Sequence, residues 1–359
     1  MEAGEAPVAM TQPRLIYALF SGNLYGTERM AIETLLGLAN TYDGTLMGPD
    51  GIALEEARRR GLNTVAIRNM RMFRRALASA LDTPGDVVVI TTSVRQALSM
   101  EWMQRRFGAR LRHVHAVHGG CDERKSFGRK WVLNFLSAPV LAVSEFVAQR
   151  LRSHGVREER ILVVENFLSS QRFAKSPREE PAMTEKSVVV VSRLDPIKRV
   201  DLLLRAIDGN PALRQIPFKI LGQGSDFDNL RSRASKRYPN VTFRGFVREV
   251  EREVSTASLF LHLCPEEPFG LAILEAMALG VPVLVPDRGG AAAIVEDGRN
   301  GFLFKSDNAA DLATRLQQLM RLQPEDRKLV VDEGRADLSG RFSEGRGLSQ
   351  YRRLLETLR

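Results

Sequence analysis

Short apolar runs rich in valine, isoleucine and leucine punctuate this chain, and between them apolar residues recur at the three-to-four spacing of amphipathic helices. Strands covered on both faces read as continuous apolar runs, so this alternation predicts parallel sheets flanked by helices. In the first half the pattern predicts strands at 14–20, 63–67, 86–91, 112–118, 139–144 and 160–165. In the second half it predicts strands at 187–193, 218–222, 241–246, 258–263, 281–286 and 301–304. Each half is expected to carry a doubly wound α/β sheet of about six strands.

The periodicity fails over FLSSQRFAKSPREEPAMTEK, 167–186, where proline, serine and mixed charge replace it. The expected organisation is a Rossmann-like domain at 1–170, a linker at 171–186, a second Rossmann-like domain at 187–340 and a closing helix at 341–359 that packs back on the first domain. Two such sheets meet at a central cleft lined by the carboxyl ends of strands and the N-termini of helices.

A chain of 359 residues is long enough for two cores of ordinary size. No apolar run approaches the roughly 18 residues of a spanning helix, and the start MEAGEAP is acidic where a signal peptide begins basic, so a cytoplasmic protein is expected. Cys121 and Cys264 stand far apart and outside any C-x-x-C pair, which points to packing and away from disulfide or thiolate metal chemistry. The net charge of +9 asks for an anionic partner. Most of the excess lies in the first half, in RNMRMFRR (68–75), RRFGARLR (105–112) and RKSFGRK (124–130). No nucleic-acid module accompanies it, so phosphate on a substrate, or an anionic membrane surface, is the expected partner rather than nucleic acid.

Four segments carry candidate chemistry. In CPEEPFGLAILEAMALG, 264–280, two glutamates sit in an apolar helix; Pro268 suits a first helical position, which would make Glu267 the cap and leave the N–H groups of Phe269, Gly270 and Leu271 to hold an anion. On that helix Glu267 and Glu275 would lie about 12 Å apart along the axis, on neighbouring faces, an arrangement suited to an elongated ligand with an anionic middle. A cap and a surface ion pair are the plainer alternative. In SRLDPIKR, 192–199, Arg193 and Lys198 flank a turn at a strand end, where both can neutralise a diphosphate or simply face solvent. In SGNLYGTERMAIETLLGLA, 21–39, Gly22 and Gly26 flank a loop into a helix capped by Thr27, a place for a phosphate or sugar oxygen or an ordinary connection. In RHVHAVHGG, 112–120, His113 and His115 share a strand face and read as structural, whereas His118 ends its strand before Gly119 and Gly120, where a cleft residue belongs. A metal reading of the three histidines finds no second cluster of ligands, and LGQGSDF (221–227) lacks the third glycine of a dinucleotide site.

With these segments in this order the chain resembles the retaining glycosyltransferases of family 4, built on the GT-B fold. EPFGLAILEAMALGVPVLVPDRGG, 267–290, is similar to that family's E-x7-E motif and Gly-Gly turn, and SRLDPIKR to its Arg and Lys clamp. The resemblance implies that Glu275 binds ribose hydroxyls, and that Arg193 and Lys198 hold the diphosphate with the amides of Phe269, Gly270 and Leu271. It further implies that Glu267 and His118 contact the donor sugar, that Phe246 and Val247 meet the base, and that no metal or cofactor is needed. Arg199 stands where a glycine commonly follows the clamp lysine, and Ala293 where a glutamate is frequent.

The reading is a retaining transferase moving a hexose or N-acetylhexosamine from a nucleoside diphosphate sugar, UDP before GDP, to a lipid-linked or glycan hydroxyl. A nucleotide-sugar epimerase of the same fold and a non-catalytic sugar-nucleotide-binding protein are the alternatives. MRMFRRALASAL, 70–81, mixes basic and apolar residues; Arg71, Arg74 and Arg75 would touch the inner membrane face or an anionic acceptor, unless this is an ordinary amphipathic helix with a solvated basic side.

Overall fold

The computed structural model describes residues 12–119, 126–171 and 186–358. MEAGEAP, Gly120, Cys121, the start of the basic run 124–130 and most of the linker lie outside these residues.

The first sheet contains β1 (Arg14–Ala18), β2 (Asp43–Gly48), β3 (Asn63–Ala66), β4 (Val87–Thr91), β5 (Leu111–Val117), β6 (Val140–Ala142) and β7 (Ile161–Val163), in the order β3-β2-β1-β4-β5-β6-β7. Every pairing is parallel. This is seven strands where the apolar pattern predicts about six. The additional strand, DGTLMG, has glycine near both ends and only two large apolar residues, so its own propensity is weak. It forms because β1 and β3 supply ladders on either side. The second sheet contains β8 (Val188–Val191), β9 (Phe218–Leu221), β10 (Val241–Gly245), β11 (Leu259–Leu261), β12 (Val283–Pro286) and β13 (Phe302–Phe304), in the order β10-β9-β8-β11-β12-β13, also parallel.

Helices cover both faces of each sheet. On the first lie α1 (Gly26–Gly37), α2 (Ile52–Arg59), α3 (Met70–Asp82), α4 (Val94–Phe107), a 3-10 segment at Lys130–Phe135 and α5 (Glu145–Ser153). The second carries α6 (Val200–Gly209), α7 (Phe227–Arg237), α8 (Val250–Ser255), α9 (Leu271–Ala278), α10 (Gly290–Ile294), α11 (Ala309–Leu319) and α12 (Pro324–Ser339). Alternation along each strand divides the cores: Leu15, Tyr17 and Leu19 pack in one cluster with α1, while Ile16 and Ala18 pack with α3 and α4 in another.

The basic segment 70–81 is thereby accounted for. Phe73, Leu77 and Leu81 of α3 are buried against β1, β4 and α4, leaving Met72 as its exposed large apolar residue. Its apolar face is spent on the core, and Arg74 Nε donates to Ser99 Oγ at 2.9 Å. The apolar side of the segment belongs to the core, as in an ordinary amphipathic helix, while Arg71, Arg74 and Arg75 stay exposed on its other side.

The final helix, α13 (Glu344–Thr357), leaves the second sheet and returns to the first. Tyr351, Leu348, Leu354 and Leu355 are buried in the same cluster as Tyr17, Leu35 and Phe167. At the crossing point Leu168 N donates to Phe342 O at 3.0 Å, and Arg341 pairs with Glu165 at 2.5 Å. Because Tyr351 is wholly buried, its replacement by alanine is expected to destabilise the first domain by about 3–5 kcal/mol in chemical denaturation; a loss below about 1 kcal/mol would mean that α13 is peripheral to that core.

Candidate active site

The carboxyl ends of both sheets open on one cleft, and its central element is the loop from β11 to α9. His262, Leu263 and Cys264 continue β11 as buried residues. The helix itself begins at Leu271, with Gly270 as its N-cap at φ 111°, a left-handed conformation that glycine adopts without strain. This corrects the expectation of a helix starting at Pro268. Glu267 is not a cap, so the helical spacing and azimuth expected between Glu267 and Glu275 do not apply. Of the amides expected to hold an anion, that of Leu271 lies in the first turn of α9, while Phe269 is a core residue stacked edge-on against Phe342.

Pro268 is diverted towards the first domain. Ser144, the N-cap of α5, donates through Oγ to Pro268 O at 2.5 Å. Gly119 meets the proline ring from the other side, at φ 76°, and a Cβ there would stand 2.6 Å from Pro268 Cγ. Arg150 of α5 pairs with Glu266. On the second domain the loop rests on the Gly-Gly turn, where Gly290 N donates to Glu267 O at 2.7 Å and a Cβ on Gly290 would fall 2.2 Å from Pro268 O.

So held, the Glu267 carboxylate faces Lys198 Nζ at 2.6 Å and His262 Nε2 at 3.5 Å. Burial would raise the Glu267 carboxyl, but Lys198, His262 and Arg193 outweigh it and hold it below the usual carboxylate range. Burial, with Lys198 nearby and against the pull of Glu267, lowers His262 to about 4, so that imidazole is neutral at neutral pH. His262, Cys264 and Glu267 offer ligand atoms within 4.8 Å of one another, and the ammonium of Lys198 is the cation this carboxylate already holds.

Arg193, at the end of β8, pairs with Asp195 at 2.9 Å and stacks its guanidinium 5.3 Å from the centroid of Tyr25 on the opposite domain. Arg199 has φ 53°, which gives a physical reason for glycine at that place in similar chains; ion pairs to Asp307 and Asp201 hold it there. Glu275 borders a small apolar cavity with Val191 of β8 and Val250, Glu251 and Val254 of α8. Phe246, 73% exposed, and Val247 lead from β10 into α8 beside it.

In the first domain, the helix after β1 is capped at Tyr25, not at Thr27: the Glu28 carboxylate accepts from Tyr25 N at 3.0 Å, and Gly26 is already helical. Gly26 faces Leu271 Cδ1 across the cleft, whereas Gly22 supports the neighbouring loop, its carbonyl accepting from Ala53 N at 3.1 Å. Tyr17 OH and His118 Nε2 share a hydrogen bond at 2.8 Å, and burial, then Lys130, lowers the His118 pKa to about 4. His113 and His115 lie on the other face of β5. Both are buried and bonded to Thr91 Oγ1, at 2.9 and 3.0 Å, and Lys130 Nζ donates to His115 Nε2 at 3.0 Å. This chain is internal packing, and it reaches His118 through the charge of Lys130.

The structure thus brings Arg193, Lys198, Glu267, Gly26, Leu271 and His118 to one opening and leaves Phe269 and Gly22 as supports. Sequence reading missed Tyr25, Ser144 and His262. His262 had a usable signal, a histidine just past a strand end like His118; Tyr25 had none, since its partner lies 168 positions away.

Comparison with known proteins agrees with this architecture. A family model described as glycosyl transferases group 1 matches residues 171–336, and one described as Glycosyltransferase Family 4 matches 26–172. The chain is 29% identical over 164 residues to poly(ribitol-phosphate) alpha-N-acetylglucosaminyltransferase of Staphylococcus aureus, covering 44% of this chain and 33% of that protein. It is 30% identical over 180 residues to GDP-mannose-dependent alpha-mannosyltransferase of Mycobacterium tuberculosis, covering 48% and 45%. The chain therefore spans a third to about half of the length of these relatives. Anabaena HepE, solved in complex with UDP and glucose, superposes with a TM-score of 0.81 at 19% identity, over 96% of this chain and 100% of that one. The shared fold is the two-domain, Rossmann-like GT-B fold.

The neutral buried imidazoles have a consequence for stability. His113 is lowered to about 3 and His262 to about 4, each by burial, so both lie below the ordinary value of 6.5. The unfolded chain takes up these protons first as pH falls, so stability present above pH 6.5 is lost progressively toward pH 4, by up to about 1.4 kcal/mol per pH unit for each group. The melting temperature is expected to hold down to about pH 6.5 and to fall between there and about pH 5, above the usual carboxylate range. A flat profile over that interval would contradict neutral imidazoles.

Proposed function

The chain belongs to the glycosyl transferases group 1 of the family 4 type, and on that premise we propose that it moves a hexose or N-acetylhexosamine from a nucleoside diphosphate sugar to an acceptor hydroxyl, with retention and without a metal ion. The observation that carries this reading is the convergence of Lys198, Arg193 and the first turn of α9 on one lip of the cleft. Two cations and a helix N-terminus there match a diphosphate whose negative charge grows as the glycosidic bond breaks.

Each remaining residue takes a role from its position. Glu275, beside the cavity under α8, accepts ribose hydroxyls, and exposed Phe246 offers a face to the base. Glu267 stays ionised, fixes Lys198 and turns toward the sugar as a positioning group. His118, neutral at pH 7, positions a sugar hydroxyl by hydrogen bonding and does not act as a proton donor. The acceptor enters along the first domain, where Phe20 and Tyr25 are exposed, and a lipid-linked or glycan hydroxyl is its expected class.

UDP is the first donor nucleotide to test, since HepE, which shares the fold, is crystallised with UDP; the mycobacterial relative is GDP-mannose dependent, which makes GDP the comparison to run. Calorimetric titration with UDP, GDP and their hexose and N-acetylhexosamine conjugates is expected to give binding that Glu275→Ala or Arg193→Ala weakens by about tenfold or more. Turnover is expected to persist in a chelator. Absence of nucleotide binding, or affinity indifferent to both substitutions, would remove the donor-site assignment.

A further inference from the structure

Outside the cleft, large apolar side chains are exposed together on one part of the first domain. Leu98 and Trp102 of α4 are 47% and 57% exposed, and Trp131 and Phe135 of the neighbouring 3-10 segment are 49% and 74% exposed. The two elements adjoin: Ser137, just past the 3-10 segment, donates through N and Oγ to Glu101 of α4 at 2.9 and 3.0 Å. Trp131 and Phe135 stack edge-on at 5.9 Å.

Basic residues interleave with them. At 100° per residue, Arg95, Leu98, Trp102, Arg105 and Arg106 fall within about 100° of one another around α4, and all five are exposed. Arg129, also exposed, adjoins Trp131. Of the acidic residues near the 3-10 segment, Glu158 pairs with Arg152 and Glu159 with Arg157, while Glu101 lies 4.0 Å from Arg105 at the edge of this face. Aromatic side chains among arginines, on a rigid face with no covering element among the described residues, match the boundary between lipid headgroups and acyl chains. A second copy of the chain fits less well, because a twofold contact through this face would set arginines against arginines.

We propose that the α4 and 130–135 face docks this chain peripherally on an anionic membrane surface. Trp102, Trp131, Phe135 and Leu98 enter the headgroup boundary while Arg95, Arg105, Arg106 and Arg129 meet lipid phosphate. Among the described residues no helix is long and apolar enough to cross a membrane, so contact through this face is surface binding. The inference stands apart from the donor reading, and its test needs no sugar nucleotide.

The chain contains two tryptophans and both lie on this face, so intrinsic fluorescence reports it directly. Vesicles of phosphatidylcholine mixed with phosphatidylglycerol are expected to shift the emission to the blue and to carry the protein upward in flotation; phosphatidylcholine alone is expected to do so weakly. Leu98→Ser or Phe135→Ser is expected to reduce vesicle affinity about tenfold or more, and Arg105→Gln or Arg106→Gln about fivefold each. Arg321→Gln, on the second domain, is expected to leave it unchanged. These side chains are exposed, and unchanged melting curves would verify folding. No blue shift and no flotation with the anionic vesicles would overturn the proposal, as would binding undiminished by the α4 and Phe135 substitutions. Self-association abolished by those substitutions, without vesicle binding, would assign the face to a second copy and overturn it as well.

Discussion

The partly buried pair of Lys198 and Glu267 is the constraint around which the cleft is arranged. Two charges taken out of water are costly unless their geometry is good and their remaining valences are satisfied. Here the ammonium and carboxylate meet at 2.6 Å across 69 positions of sequence. The cost of placing Glu267 there is offset by Lys198 and by the field of Arg193. Because that carboxylate must be held still, the backbone around it is fixed from both sides: Gly290 anchors its carbonyl, and Pro268, next in sequence, is caught between Gly119 and Ser144 of the other domain.

The same loop therefore couples charge placement to domain contact. Residues 264–270 supply the partner of Lys198, the site of interdomain packing and the entry to α9. Gly289 and Gly290 are small because backbone passes where a Cβ would stand, Gly119 because the Pro268 ring does, and Gly119 and Gly289 also have positive φ. Arg199 has positive φ without being glycine and is tied by Asp201 and Asp307. Local strain and long-range charge are matched there, a balance that sequence spacing does not display.

The return of α13 to the first domain adds a second link. Its apolar stripe covers the cluster that contains Tyr17, and Tyr17 in turn is hydrogen-bonded to His118 at the mouth of the cleft. The orientation of His118 thus rests on a core built partly from the last residues of the chain. Away from the cleft, α3 and α4 lie side by side with opposite fates. α3 spends its apolar face on the sheet, while α4 keeps Leu98 and Trp102 outside.

Much was settled by sequence alone. Runs of valine and leucine place twelve of the thirteen strands, because a strand buried on both faces leaves a local record, and the positions of Arg193, Lys198, Glu267 and His118 at strand or turn ends follow from the same punctuation. The thirteenth, DGTLMG, left no such record because its neighbours supply what its residues lack. What only the tertiary structure decided is where α9 begins, which cation Glu267 holds, that Tyr25 covers Arg193, and which amphipathic helix keeps its apolar side chains exposed. The physical reason is range. Periodicity and turn chemistry act over a few residues, whereas the pull on Pro268, the pairing of Lys198 and the burial of α3 depend on groups that only folding brings together.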